Sequence, residues 1–278
     1  RRAPLETDTT TPAAYVLETS QLWGLGMGAF LGNKFESIPN GLHLTQPYRP
    51  GRIPVVFVHG TFSNPAWWAE MLNTLRGDPI LQQKYQFWAF LYNSSAPIVA
   101  SAADLRDALR NKVAQLDPEG KDPSLREMVI VGHSQGGLLT KLTVVDTGDS
   151  LVFALTGKDL DSLGLPEEKK AEVRQLLVVE PVPEVKRVVF IATPHRGSIL
   201  SKQWVRTLIR KLVTLPVRIV KTTLGLQEYF TDDVKRMIGS SAGTTSIDGM
   251  SPDSPVLKTL AVTPLAPGVI GHSIIAVE

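Results

Sequence analysis

The sequence predicts an α/β protein: a mostly parallel central sheet with helices on both faces and an inserted helical cap or lid. Three observations predict it. Short apolar runs rich in β-branched residues, such as IPVVFVH from Ile53, EMVIVGH from Glu127 and RVVFIA from Arg187, have the pattern of strands buried on both faces. Segments of helical period lie between such runs, so strand and helix alternate as βαβ units require. Two of the runs, VFVHG and VIVGH, pass directly into glycine-flanked turns, as strand-to-helix corners do.

The elements follow in order. Residues 1–50 are rich in Thr, Pro and Gly and read as an extension with weak strands. After the strand at Ile53 comes NPAWWAEMLNTLRG, with Asn64 as helix cap, Pro65 at the first position and Gly77 at the stop. YQFWAFLYN, Tyr85 to Asn93, is a second strand. Ser101 to Leu116 is a helix, with Leu105, Leu109, Val113 and Leu116 at helical spacing. EMVIVGH is a strand and GLLTKLTVVD the helix that follows. The charged stretch Gly157 to Arg174 reads as an inserted helical pair, Val188 to Ala192 as a strand, and IGHSIIAVE as a final strand. The expected division is one domain over 1–278, with an N-terminal extension (1–50), a helical insertion (150–185) and a cap or lid (198–240).

Composition narrows the possibilities. Of 278 residues, 43% are apolar, enough for a sizeable core, and the formal net charge of +2 gives no global electrostatic case for a nucleic-acid partner. Without cysteine, disulfides and thiolate zinc sites are excluded. No apolar run reaches the roughly 20 residues of a spanning helix; LWGLGMGAFLG, Leu22 to Gly32, is short and glycine-rich. No signal peptide is visible, yet the chain starts Arg1-Arg2 without Met. The expectation is an incomplete N-terminus, with localisation unknown and the bacterial cell envelope or secretion both compatible.

VIVGHSQGG carries the chemistry. The G-x-S-x-G spacing runs from Gly132 through Ser134 to Gly136. A serine at the apex of a sharp strand-to-helix turn presents its hydroxyl above the sheet, and a β-carbon at either glycine would collide with a neighbouring strand or helix. The Gln135 N–H then faces the oxygen that becomes negative when a carbonyl is attacked. This is a nucleophile elbow. A second N–H must come from another loop, and VFVHGTFSN supplies it: Thr61 first, Phe62 second. His59 reads as a structural histidine holding that loop.

VFVHG, VIVGHSQGG, RVVFIATPHRGS, and SPDSP followed by HSII occur in order. From about Ile53 onward the chain resembles the α/β-hydrolase superfamily, in particular bacterial lipase-like and esterase-like serine hydrolases. The resemblance implies Ser134 as nucleophile, Thr61 and Gln135 as oxyanion-hole donors, and no metal or organic cofactor. His195, in TPHRGS, falls near the active-site face without being the family's base. Such a serine needs a histidine oriented by a carboxylate, in the chain order Ser, acid, His. Only His195 and His272 lie downstream of Ser134. Either His272 is the base with Asp248 or Asp253 as acid, or the acid and base lie beyond Glu278 in a C-terminally truncated chain; truncation is the favoured expectation.

Residues 198–225 combine aliphatics with Lys202, Arg206, Arg210, Lys211, Arg218 and Lys221. They read as a mobile lid with an apolar face for acyl chains and a basic face for anionic interfaces, or as an ordinary packed cap. Phe62, Trp67 and Trp204 are candidates to line the substrate pocket, with Trp68 beside them. The expected function is a serine carboxylic-ester hydrolase acting through an acyl-enzyme on Ser134. The alternatives are an acyltransferase with the same nucleophile and a catalytically silent binding or scaffold fold. The expected partner is a small-molecule or lipid ester, with peripheral lipid contact through the basic cap.

Overall fold

Six strands take up the apolar runs: β1 (Gly41–Leu44), β2 (Ile53–Val58), β3 (Tyr85–Leu91), β4 (Met128–His133), β5 (Val185–Ile191) and β6 (Ile270–Ile274). The computed structural model describes residues 40–61, 63, 65–197, 227–238 and 250–275. The strands form one sheet in the order β1-β3-β2-β4-β5-β6. β1 runs antiparallel to β3, and every other pairing is parallel.

Alternation along the strands divides the core. Val56, Val58, Trp88, Phe90 and Ile130 point into one buried cluster; Val55, Phe57, Phe87 and Val131 point into the other. The larger cluster is closed by helices α3 (Ile98–Leu116), α4 (Gln135–Lys141), α5 (Ser150–Thr156), α6 (Glu167–Leu177) and α8 (Pro255–Val262). The smaller is closed by the 3₁₀ turn Pro65–Trp68 and α1 (Ala69–Gly77), through Trp68, Leu72 and Leu75. Helices therefore cover both faces of a mostly parallel sheet, as the sequence predicts. The described chain also forms α2 (Pro79–Lys84) and α7 (Asp232–Ile238).

Some boundaries differ from expectation, each for a local reason. The N-terminal extension contributes a strand to the sheet, β1. The expected helical pair over 157–174 divides differently: Gly157 (φ 72°) ends α5, and Gly164 (φ 65°) ends a 3₁₀ turn before α6. The helix expected to run to Asp146 stops at Lys141, because the carbonyls of Thr143 and Val144 turn outward to accept the N–H groups of Val182 and Ala266. α2 is too short to show a period; it forms because Asp78 Oδ1 accepts the N–H groups of Ile80 (2.7 Å) and Leu81 (3.2 Å) and Pro79 opens the turn.

Order along the sheet reverses at β2, since β3 lies on one side of it and β4 on the other. In open α/β sheets the crevice at such a point, outside the carboxyl ends of the strands, is where ligands bind. At the opposite, amino end the segments leading into β2 and β4 are latched together. Asp122 Oδ2 accepts the Tyr48 hydroxyl (2.5 Å) and the Gly51 N–H (3.1 Å); Oδ1 accepts the Ser124 N–H (3.0 Å) and hydroxyl (2.6 Å). Burial pushes the Asp122 carboxyl up, but hydrogen bonds from Ser124, Tyr48 and Gly51 outweigh it and leave the pKa lowered.

Asp122→Asn should therefore destabilise the fold by about 1–3 kcal/mol in urea titrations at pH 7. Because the folded pKa lies below the unfolded value of about 4, the stabilisation is complete above that value. It should disappear as pH falls through the folded pKa, and the wild type and variant curves should converge there.

Candidate active site

The site is built where β4 ends. Ser134 follows the last residue of β4 and caps α4, with φ 51° and ψ −122°. This is left-handed backbone, unfavourable for any residue with a β-carbon. Ser134 remains partly exposed, whereas every residue of α4 behind it is buried. The strained turn is pinned to the neighbouring strand by the Ser134 N–H, which donates to Ile191 O at 2.8 Å.

The surrounding glycines show why the serine sits among them. A β-carbon on Gly132 would stand 2.6 Å from Gly136 O, and one on Gly136 would stand 2.8 Å from the carbonyl carbon of Val58. Both collisions are those expected from the sequence, one with the helix and one with the adjacent strand. Two further close approaches were not anticipated. A β-carbon on Gly137 would meet Thr193 Cγ2 at 2.7 Å, and one on Gly60 would meet Ser134 Cβ at 3.0 Å and His133 O at 3.1 Å. The doublet Gly136-Gly137 was the available sequence signal for the first. For the second, nothing local to His59-Gly60 marks its partner.

The β2 loop is thus brought against Ser134, as the sequence reading requires. His59 is buried and structural. Its Nδ1–H donates to Gly60 O (3.0 Å), Nε2 accepts the Tyr92 N–H (3.4 Å), and the Tyr92 hydroxyl donates to His59 O (2.8 Å) under stacked rings 4.3 Å apart. Burial pushes its pKa down to about 4, against small opposing contributions from the Gly60 and Tyr92 backbone. Thr61 follows, and its hydroxyl donates to Gln135 Oε1 at 2.5 Å. Thr61 and Gln135, from different loops, are therefore in direct contact.

The other expected residues divide. Trp67 is 60% exposed, while Trp68 is buried, packs on Phe57 at 5.0 Å between centroids and meets the His133 ring edge-on at 6.4 Å. Phe62, Trp204, Asp248 and the lid stretch 198–225 lie outside the described residues. His195 is half-buried, edge-on to Phe190 at 4.8 Å; its pKa is lowered, first by burial and then by Lys141. His272 lies in β6 opposite Val189, two strands from β4, and its Nε2 accepts from Arg187 Nη1 at 2.8 Å. Asp253 pairs with Lys258 at 3.8 Å. His272 and Asp253 are thus each held by a cation, and neither is hydrogen-bonded to Ser134.

A mostly parallel sheet with an antiparallel first strand, a left-handed serine between colliding glycines after one central strand and a His-Gly loop after its neighbour make up an α/β-hydrolase fold. The family described as Chlorophyllase matches residues 27–159, a stretch that takes in the β2 loop and the elbow. No curated protein matches the chain. Among solved structures, the mature form of a Bacillus licheniformis lipase is similar at 13% identity and a TM-score of 0.44, covering 85% of this chain and 72% of that one. Its propeptide form is similar at 14% identity and 0.41, covering 85% and 39%. Esterase 2 of the planctomycete Thermogutta terrifontis is similar at 17% identity and 0.34, covering 65% and 59%. The chain thus spans less than two thirds of two of these three structures.

Gly136→Ala should destabilise the fold by about 3 kcal/mol, the upper end of ordinary overpacking, in urea unfolding, since the obstructing atoms are backbone. The His59 ring should show no titration above about pH 5 by NMR. Its depressed pKa means that protonation favours the unfolded chain, so stability should decline as pH falls from about 6.5 towards 4.

Proposed function

We propose that the protein is a serine carboxylic-ester hydrolase of the lipase or esterase type, acting through an acyl-enzyme on Ser134. The observation that carries this reading is the backbone of Ser134. It is held left-handed at φ 51°, at the carboxyl edge of the sheet, with the β2 loop against its β-carbon. A structural serine gains nothing from such strain, which costs on the order of 1–3 kcal/mol. A nucleophile gains exposure and a fixed direction of attack.

In this reading Ser134 Oγ attacks the ester carbonyl carbon and loses its proton to a base. The carbonyl electrons move onto oxygen, where the Gln135 and Thr61 N–H groups receive the charge. Collapse expels the alcohol with a proton and leaves the acyl group on Ser134. Water then repeats the attack, releasing the acid and restoring the hydroxyl. The base is assigned to neither His195, which packs edge-on against Phe190 and is not the base that the family resemblance implies, nor His272, whose Nε2 accepts from Arg187 Nη1. The substrate is an ester of small-molecule or lipid type, and the basic residues of the stretch 198–225 are proposed to favour anionic lipid interfaces.

A fluorophosphonate probe should label the full chain at Ser134, as read by peptide mass spectrometry. Ser134→Ala should abolish labelling and lower hydrolysis of p-nitrophenyl butyrate on the order of 10⁴-fold or more. A folded wild-type protein that neither reacts with the probe nor cleaves the ester would contradict the proposal.

A further inference from the structure

Gln135 has two parts, and the proposed chemistry uses only its backbone N–H. Its side chain is fully buried at 0% exposure, and both ends of the carboxamide are occupied. Oε1 accepts the Thr61 hydroxyl at 2.5 Å, and Nε2 donates to Ser94 O at 3.2 Å. Ser94 belongs to the loop after β3, folded on itself by Asn93, whose Oδ1 accepts the Ser95 N–H (3.0 Å) and hydroxyl (2.7 Å). Thr61 belongs to the loop after β2, and Gln135 itself begins the helix after β4. These are three neighbouring strands, β3-β2-β4. One buried amide therefore spans the carboxyl ends of all three.

We infer that the Gln135 carboxamide is a positioning residue that sets the Thr61 segment against Ser134, so that the two proposed oxyanion donors hold a fixed separation. This rests on the ester-hydrolase reading above. His59 and Tyr92 already fix the loop as far as Gly60; Gln135 extends that hold to Thr61. The geometry requires an amide. Oε1 must accept and Nε2 must donate, so an ionised carboxylate would turn a lone pair towards Ser94 O. A protonated carboxyl could satisfy both neighbours, and burial in this position raises a carboxyl pKa.

The test is steady-state hydrolysis of p-nitrophenyl butyrate, fluorophosphonate labelling rates and thermal melts on the full chain. Gln135→Met should lower kcat about 10- to 100-fold, the range for a displaced oxyanion donor, with KM within about two-fold and labelling slowed in parallel. Thr61→Val should do the same, Thr61→Ser should recover most of what Thr61→Val loses, and the double variant should be no worse than the poorer single one. The kcat of folded Gln135→Glu should recover relative to wild type as pH falls, whereas a strut that only stabilises the fold would move the melts with pH and leave kcat unchanged. If Gln135→Met does not fold, the Thr61→Val and Thr61→Ser pair and the Gln135→Glu pH profile decide the matter. An active wild type whose folded variants keep full kcat, or whose Gln135 and Thr61 effects are additive, overturns this inference alone. A wild type that neither labels nor cleaves the ester overturns the enzymatic reading with it.

Discussion

Close approach of backbone to backbone, possible only where β-carbons are missing, is the constraint on which the carboxyl edge of this sheet depends. β2 and β4 are hydrogen-bonded neighbours, about 4.8 Å apart as paired strands are. For α4 to begin immediately after Ser134, its first turn must lie on the carbonyls of Val58 and His59, and Gly136 makes that contact. Gly132 lies beneath the same turn, and Gly137 lies against Thr193 from the β5 loop. A methyl group at any of these points would push the helix outward and rotate the serine with it. Overpacking of that kind costs about 1–3 kcal/mol, a large part of the 5–15 kcal/mol that holds a typical domain together.

Two buried cations fix the far end of α4, and both are paired with helix carbonyls. Arg106, on α3, donates to Leu142 O at the end of α4 (3.4 Å) and to Gln175 O in the last turn of α6 (2.9 Å). Lys141 Nζ donates to Leu260 O in the last turn of α8. The carboxyl end of a helix carries partial negative charge, so each cation meets an electrostatic partner there as well as an acceptor that would otherwise be unsatisfied. Burial lowers both pKa values, Arg106 to about 10 with a further push from Arg110, yet leaves that guanidinium charged at neutral pH. Neither side chain touches Ser134. Their effect is to tie α3, α6 and α8 to the base of the helix whose first residue follows the serine.

The parts of this arrangement that were legible in the sequence are those governed by local rules. β-Branched runs gave the buried strands because strands covered on both faces need continuous apolar residues. Ser134 and its flanking glycines were legible because tight turns demand small residues at fixed offsets. His59 could be read as structural because a histidine ending a buried strand has carbonyls within reach. What could not be read depends on contacts between distant segments. Gly60 meets Ser134, Gly137 meets Thr193, and the Gln135 side chain meets Thr61 and Ser94, separations that no periodicity encodes. β1 was legible only as a weak strand within residues 1–50: Gly41–Leu44 is four residues long and half-buried, and its position in the sheet comes from pairing with β3.

Strain is also distributed in a way that bears on function. Among the described residues, the non-glycine positions with positive φ are Ser134 at 51° and Ala192 at 46°. They end adjacent strands, β4 and β5, and each is tied to the next strand over. Ser134 N–H donates to Ile191 O (2.8 Å), and Ala192 N–H donates to Ile274 O (2.9 Å). Each hydrogen bond contributes about 0.5–1.5 kcal/mol, comparable with the low end of the 1–3 kcal/mol that such a backbone costs, so the ladder offsets much of the strain locally. Relaxing Ser134 into extended backbone would continue β4 past the corner and turn its side chain away from Gly60. Relaxing it into helix would lift its N–H off Ile191 O. The left-handed turn therefore lets β4 stop, α4 start and the hydroxyl stand beside the β2 loop within a single residue, and the extended ladder makes that turn sustainable.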